Sequence, residues 1–209
     1  MLGAKVLFNF DGSGTLRHQI EEGAPVDVFF SAASADMDRL ERQGLIVSTS
    51  RRDLLSNAMV LVGIEETPLP TDIEGLRAIL EETNLLAIGN PDTVPAGRYA
   101  VQALTTLGLY SIVERKLVLG GTVREVLLYV ESGSAPLGVV FVTDALSLKP
   151  GSPVRQLFRF PEDTVKTPIL YPVAVVRASK NLDGAQRMIE FLESEVARQA
   201  FREAGFLLK

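Results

Sequence analysis

The chain has 209 residues, 46% of them hydrophobic, with a formal charge of −5 and no cysteine. That length allows one large domain or two small ones with a real core, and the acidic balance argues against nucleic acid as a partner, because phosphate backbones need a basic face. Without Cys there can be no disulfide, thiol nucleophile or zinc-thiolate site. In chain order, Lys5 to Phe10 reads as a strand, Leu16 to Glu22 as a short helix, and Val26 to Ala32 as an apolar strand ending in small residues. Asp36 to Gln43 is a helix closed by Gly44. Ala58 to Gly63 is a buried strand, and Thr67-Pro68-Leu69-Pro70 breaks the chain before a helix from Ile73 to Glu82. Leu85 to Gly89 is a strand that runs through Asn90-Pro91-Asp92-Thr93-Val94 into a helix ending at Leu107. Val123 to Glu131 is amphipathic, Gly138 to Val142 a continuous apolar strand, Gln156 to Phe160 and Tyr171 to Arg177 two more strands. Asp183 to about Ala204 reads as one long helical region, with Ala185, Met188, Ile189 and Leu192 at helical spacing.

Strand, helix and strand in succession predict α/β lobes, each a mostly parallel sheet flanked by helices. A lobe drawn from the middle of the chain, 58–172, would join an outer lobe of 1–57 with 173–209 through two strand-like crossings that form a hinge. No run reaches the roughly 18 to 20 apolar residues needed to span a bilayer. The start, Met1-Leu2-Gly3-Ala4-Lys5-Val6, lacks the apolar core and cleavage site of a signal peptide.

Three helix starts have the same neutral, donor-rich character. In Asp11-Gly12-Ser13-Gly14-Thr15 a hydroxyl and several backbone N–H groups aim at one point, a geometry suited to an anion as well as to ordinary capping. In Val94-Pro95-Ala96-Gly97, proline stands where its missing N–H costs nothing, and the small residues let a ligand approach the backbone. In Gly120-Gly121-Thr122-Val123, Thr122 is a capping residue and the Val123 N–H is left for a ligand. Each is compatible with simple capping, and the three together point to an oxyanion receptor.

Sharper motifs fail. No Lys follows the glycines as a Walker loop requires, and a calcium loop begun at Leu7 would place His18 where a Glu is needed. No Gly-x-Ser-x-Gly elbow occurs, and the lone His18 reads as a solvated surface residue without a nucleophile around it. The pairs Glu21/Glu22, Glu65/Glu66 and Glu81/Glu82 read as solvated charges. No enzyme activity is expected.

Several stretches together carry a resemblance. They are Phe8 to Leu16, Gly23-Ala24-Pro25-Val26-Asp27-Val28-Phe29-Phe30-Ser31-Ala32, Asn90 to Ala100, Ala135-Pro136-Leu137-Gly138-Val139-Val140-Phe141-Val142-Thr143-Asp144-Ala145, and Phe160-Pro161-Glu162-Asp163 with Tyr171-Pro172-Val173-Ala174. Over essentially its whole length the chain resembles the molybdate/tungstate-binding receptors of bacterial ABC importers. The resemblance implies a two-lobe periplasmic-binding-protein-like fold (type II) that closes on a tetrahedral oxyanion, a membrane ABC permease as partner, a periplasmic or extracytoplasmic location and no cofactor. It further implies that the hydroxyl and amide of Ser13 and the amides of Ala96 and Val123 contact the molybdate or tungstate. Phe141 stands where the family commonly has a Tyr whose hydroxyl reaches the anion. The family also normally begins with a strand, an Ala-Ala-Ser-type turn carrying another ligand Ser, and a helix, a unit of about 25 to 30 residues that this chain lacks. That expectation describes a start-truncated chain with a vacant place in its first sheet, which either self-associates through the open edge or is marginally stable. The alternatives are a relative that no longer binds or has altered specificity, an intracellular oxyanion sensor, and a hydrolase or transferase of a phosphorylated metabolite.

Overall fold

The computed structural model describes residues 5–209. The chain divides into two compact units, Met1–Ser56 with Ile169–Lys209 and Asn57–Pro168, so the backbone passes between them twice. The outer unit begins with α1 (Ser13–Glu21), β1 (Val28–Phe30), α2 (Ser34–Arg42) and β2 (Arg52–Ser56). The inner unit follows with β3 (Met59–Ile64), α3 (Ile73–Glu82), β4 (Leu86–Gly89), α4 (Pro95–Thr106), α5 (Tyr110–Val113), β5 (Leu117–Gly120), α6 (Val123–Glu131), β6 (Leu137–Phe141), α7 (Val142–Leu146) and β7 (Val154–Arg159). The chain then returns to the outer unit as β8 (Leu170–Val175), α8 (Leu182–Glu193), α9 (Glu195–Glu203) and β9 (Leu207–Leu208). The second crossing therefore precedes the point expected at 172/173, because β8 is one unbroken strand of the outer sheet.

The outer sheet has the order β1-β8-β2-β9, and every neighbouring pair is antiparallel. The expectation of a mostly parallel sheet fails here because β8, arriving from the inner unit, lies between β1 and β2 and runs against both. Its side chains alternate between two faces. Ala174, with Val176 just beyond the strand, packs with Ile20, Met37 and Leu40 of α1 and α2; Val173 and Val175 pack with Ala185 and Ile189 of α8. Both faces of this sheet are thus covered by helices.

The inner sheet has the order β5-β4-β6-β3-β7 and is mixed. Strands β5, β4 and β6 are parallel, while β3 is antiparallel to β6 and β7. Its central strands are fully apolar and buried, as strands covered on both faces must be. Val60, Val62, Ala87 and Val140 pack with Val126, Leu127 and Val130 of α6.

Lys5 to Phe10 is not a strand. A strand requires a neighbour's ladder of N–H and C=O groups, and this segment pairs with none among the described residues; β1 has only β8 beside it. Leu7, Phe8 and Phe10 are 80%, 67% and 85% exposed, and the two phenyl rings stack on each other at 5.6 Å. The long helix expected to Ala204 is two helices. Ser194 (φ −66°, ψ 155°) ends α8, and its hydroxyl accepts from Ala197 N–H to cap α9. Among the described residues no helix is long and apolar enough to cross a membrane.

Candidate functional site

Three of the four residues singled out in the sequence lie at one edge of the inner sheet. Gly89 pairs with Gly120, and Ala87 with Gly138, so the parallel strands β5, β4 and β6 end side by side. Each strand leads into a helix: β5 into α6 at Val123, β4 into α4 at Ala96, and β6, at Phe141, into α7. The carboxyl edge of such strands is where α/β sheets collect ligands.

At α4 the local sequence leaves one amide available. Pro95 has no N–H, and Gly97 N–H already bonds to Val94 O at 3.0 Å in a tight first turn, so Ala96 N–H alone precedes the helical ladder. The turn before it is held by Asn90, whose N–H donates to Gly120 O at 2.8 Å and whose side chain accepts from Asp92 N–H. At α6, Thr122 Oγ1 accepts from Glu125 N–H at 3.2 Å, and Glu125 Oε2 accepts from Gly121 N–H at 2.8 Å. This is a capping box reaching one residue further back than usual. It satisfies the cap and still leaves the Val123 and Arg124 amides ahead of the first helical bond, from Val126 N–H to Thr122 O. Capping and an open donor therefore coexist in the same turn.

Ser13 belongs to the outer unit. Its helix follows Gly12, whose N–H donates to Asp11 Oδ1 at 2.7 Å, and Leu16 N–H makes the first backward bond, to Gly12 O. The amides of Ser13, Gly14 and Thr15 precede that bond. Ser13 is buried, and its Oγ accepts from Ala32 N–H at 2.9 Å. With one lone pair engaged in this way, the hydroxyl proton is directed elsewhere.

Phe141 is buried, and its ring meets Tyr99 edge-on with centroids 6.3 Å apart. Its N–H donates to Asp144 Oδ2 at 3.2 Å, and the neighbouring Thr143 Oγ1 accepts from Asn57 Nδ2 at 2.9 Å, tying the start of α7 to the first crossing. Asp144 and Asn57 did not stand out in the sequence, since a single Asp or Asn next to an apolar run has no spacing signature. Burial pushes the Asp144 carboxyl up to about 6 from an ordinary 3.8, although the Phe141 N–H opposes the shift. A carboxyl raised in the folded state stabilises below its unfolded pKa, and that contribution is lost as pH rises through about 6. Asp144→Asn keeps an acceptor for Phe141 N–H without the buried charge. The variant is expected to match the parent near pH 4 and to exceed it by about 2 kcal/mol at pH 7.5 in urea unfolding. An equal gap at both pH values would refute the assignment.

His18 is exposed, as expected, 3.6 Å from Glu21. Glu21 itself is not a solvated charge. It is largely buried and joins Arg17 of α1 to Arg39 of α2, while Arg17 Nε also donates to Asp36 Oδ1 at 3.1 Å. The pair fixes α1 against α2, a link that only the helix packing makes visible.

A family model described as bacterial extracellular solute-binding protein matches residues 2–207. The chain belongs to that family. Within it, molybdate-binding protein ModA of Haemophilus influenzae is 37% identical to this solute-binding protein over 209 residues, covering 98% of this chain and 80% of the relative. The substrate-binding domain of a putative molybdenum ABC transporter from Clostridium difficile superposes with a TM-score of 0.71 at 36% identity, covering 98% of this chain and 86% of that one. The periplasmic molybdate-binding protein of Azotobacter vinelandii superposes with a TM-score of 0.82 at 26% identity, covering 99% and 89%. The α/β architecture of this solute-binding protein, two sheets flanked by helices, is that of these relatives.

Proposed function

We propose that this solute-binding protein captures molybdate or tungstate outside the cytoplasm and hands the oxyanion to an ABC permease without a chemical step. The observation that carries the reading is the set of amides left open at the starts of α1, α4 and α6, with Ser13 buried and its proton directed away from Ala32. The contacts assigned are the Ser13 hydroxyl and amide and the amides of Ala96 and Val123. Such fixed, neutral donors suit a dehydrated tetrahedral dianion, which accepts hydrogen bonds and offers no proton. The names of its relatives supply the choice of molybdate among oxyanions.

Thermal unfolding with molybdate, tungstate, sulfate or phosphate added in turn tests this. A ligand at 100 times its Kd stabilises by about 2.7 kcal/mol, a shift on the order of 5 to 10 °C for a chain of this size. A shift confined to molybdate and tungstate is expected. Phe141, lacking a hydroxyl, favours a second reading in which binding is weak or altered: no shift with any anion would support weak binding, and a shift with sulfate or phosphate instead would support altered specificity. Turnover of a phosphate ester would overturn both.

The exposed segment 5–10 supports self-association, with a second copy as the occupant. Phe8 and Phe10 alone offer about 300 Å² of apolar surface, and with Leu7 a pair of copies would bury about 900 Å², close to the roughly 1,000 Å² of a specific interface. Light scattering should report a concentration-dependent dimer that the Phe8→Ser, Phe10→Ser double variant abolishes. A monomer at all concentrations would rule it out.

A further inference from the structure

We propose that Ser31 is a positioning residue for the oxyanion site: its buried hydroxyl clasps the Ala33 peptide and so aims Ala32 N–H at Ser13 Oγ. The inference rests on the reading that Ser13 touches the anion.

A hydroxyl has one proton to give and two lone pairs with which to accept. Ser13 Oγ uses a lone pair on Ala32 N–H at 2.9 Å, and no acceptor among the described residues takes its proton. The proton is therefore available to a ligand only while Ala32 N–H occupies the other side of the oxygen. If that amide turns away, Ser13 Oγ rotates freely and its donor is no longer preset.

Ala32 itself has no means of holding its amide. The strand before it ends at Phe30, and the chain must turn at once into α2. The N-cap of α2 is Ala33, at φ −155° and ψ 138°, which has no side-chain cap of its own. Ser31 compensates. It is fully buried; its N–H donates to Pro172 O at 2.9 Å, which anchors it to β8, and its Oγ donates to Ala33 O at 2.8 Å and accepts from Ala33 N–H at 3.2 Å. Both polar groups of Ala33 are thus tied to the Ser31 side chain, and Ala32 N–H, on the peptide link between residues 31 and 32, lies inside the short turn that this clasp closes. Removing the hydroxyl leaves the Ala33 N–H and C=O without that partner and lets the turn rotate. The rest of α1 stays in place because Arg17 bonds to Asp36 of α2 independently of this turn. The effect of Ser31 on binding therefore runs through the Ser13 hydroxyl.

The test uses the whole chain, with sodium molybdate as the probe for calorimetry and with amide hydrogen exchange at Ala32 read by NMR. Ser31→Ala is expected to weaken molybdate binding about tenfold, the loss of one ordinary hydrogen bond, and to accelerate exchange at Ala32. Ser31→Thr, which keeps the hydroxyl, should restore both. In a Ser13→Ala background the further Ser31→Ala change should cost less than about twofold, because the group it positions is gone. The same tenfold loss in both backgrounds, or unchanged Ala32 exchange in Ser31→Ala, would overturn the proposal. A parent chain that binds no oxyanion would instead overturn the functional reading, while Ala32 exchange would still decide whether Ser31 holds the turn.

Discussion

Gly97→Ala is expected to destabilise the inner unit by about 3 kcal/mol and to abolish measurable molybdate binding, the cost lying at the upper end for overpacking a close-packed site. A methyl group at this position would lie 1.9 Å from Gly89 O and 2.5 Å from Gly89 C, with Asn90 C at 3.1 Å. All three are backbone atoms of the strand end and turn that support α4, so no rotamer change relieves the overlap. The first turn of α4 would have to withdraw from β4, and it would carry with it Ala96 N–H, the one amide that turn leaves open. The requirement is for space, since the Gly97 φ is not positive. Urea unfolding and calorimetry on the same preparation would check both parts. A variant that unfolds and binds like the parent would show that α4 can shift without consequence.

Phe141→Tyr is expected to tighten molybdate binding at least tenfold. A hydrogen bond to a charged acceptor contributes about 1.5 to 3 kcal/mol, and 1.4 kcal/mol is a factor of about ten. The substitution adds a single oxygen to a buried ring at the carboxyl edge of β6, beside the strands that lead to Ala96 and Val123. Titration of parent and variant with molybdate is the measurement. Unchanged affinity with unchanged stability would show that position 141 does not face the anion. Lower stability with unchanged affinity would place the new hydroxyl in a buried site without a partner.

Helix starts were legible because their chemistry is local. Pro95 at the first helical position, Thr122 at the cap and the small residues around Ser13 each bear on which amides stay open within a few residues of sequence, whereas the reach of Glu125 back to Gly121 N–H did not stand out there. The apolar strands β3, β4 and β6 were legible for a similar reason, since runs such as Met59–Ile64 can only be buried. Less visible were β2, with Arg52 and Asp53 at its start, and β9, two residues long; both are strands only because a neighbour supplies a ladder. The reverse holds at Lys5 to Phe10, where an apolar strand pattern finds no neighbour among the described residues.

By itself, the sequence determined the α/β class, the bounds of the amphipathic helices Ile73–Glu82 and Val123–Glu131, and the neutral donor chemistry of the three turns. These follow from periodicity and capping, which act over one or two helical turns. Only the tertiary structure decided that β8 runs between β1 and β2, that β5, β4 and β6 end on a common edge, and that Ala32 occupies the Ser13 oxygen. It also decided that Gly97 has no room for a methyl group. Each of these depends on residues brought together from distant parts of the chain, where register and burial, rather than any local pattern, decide which groups meet.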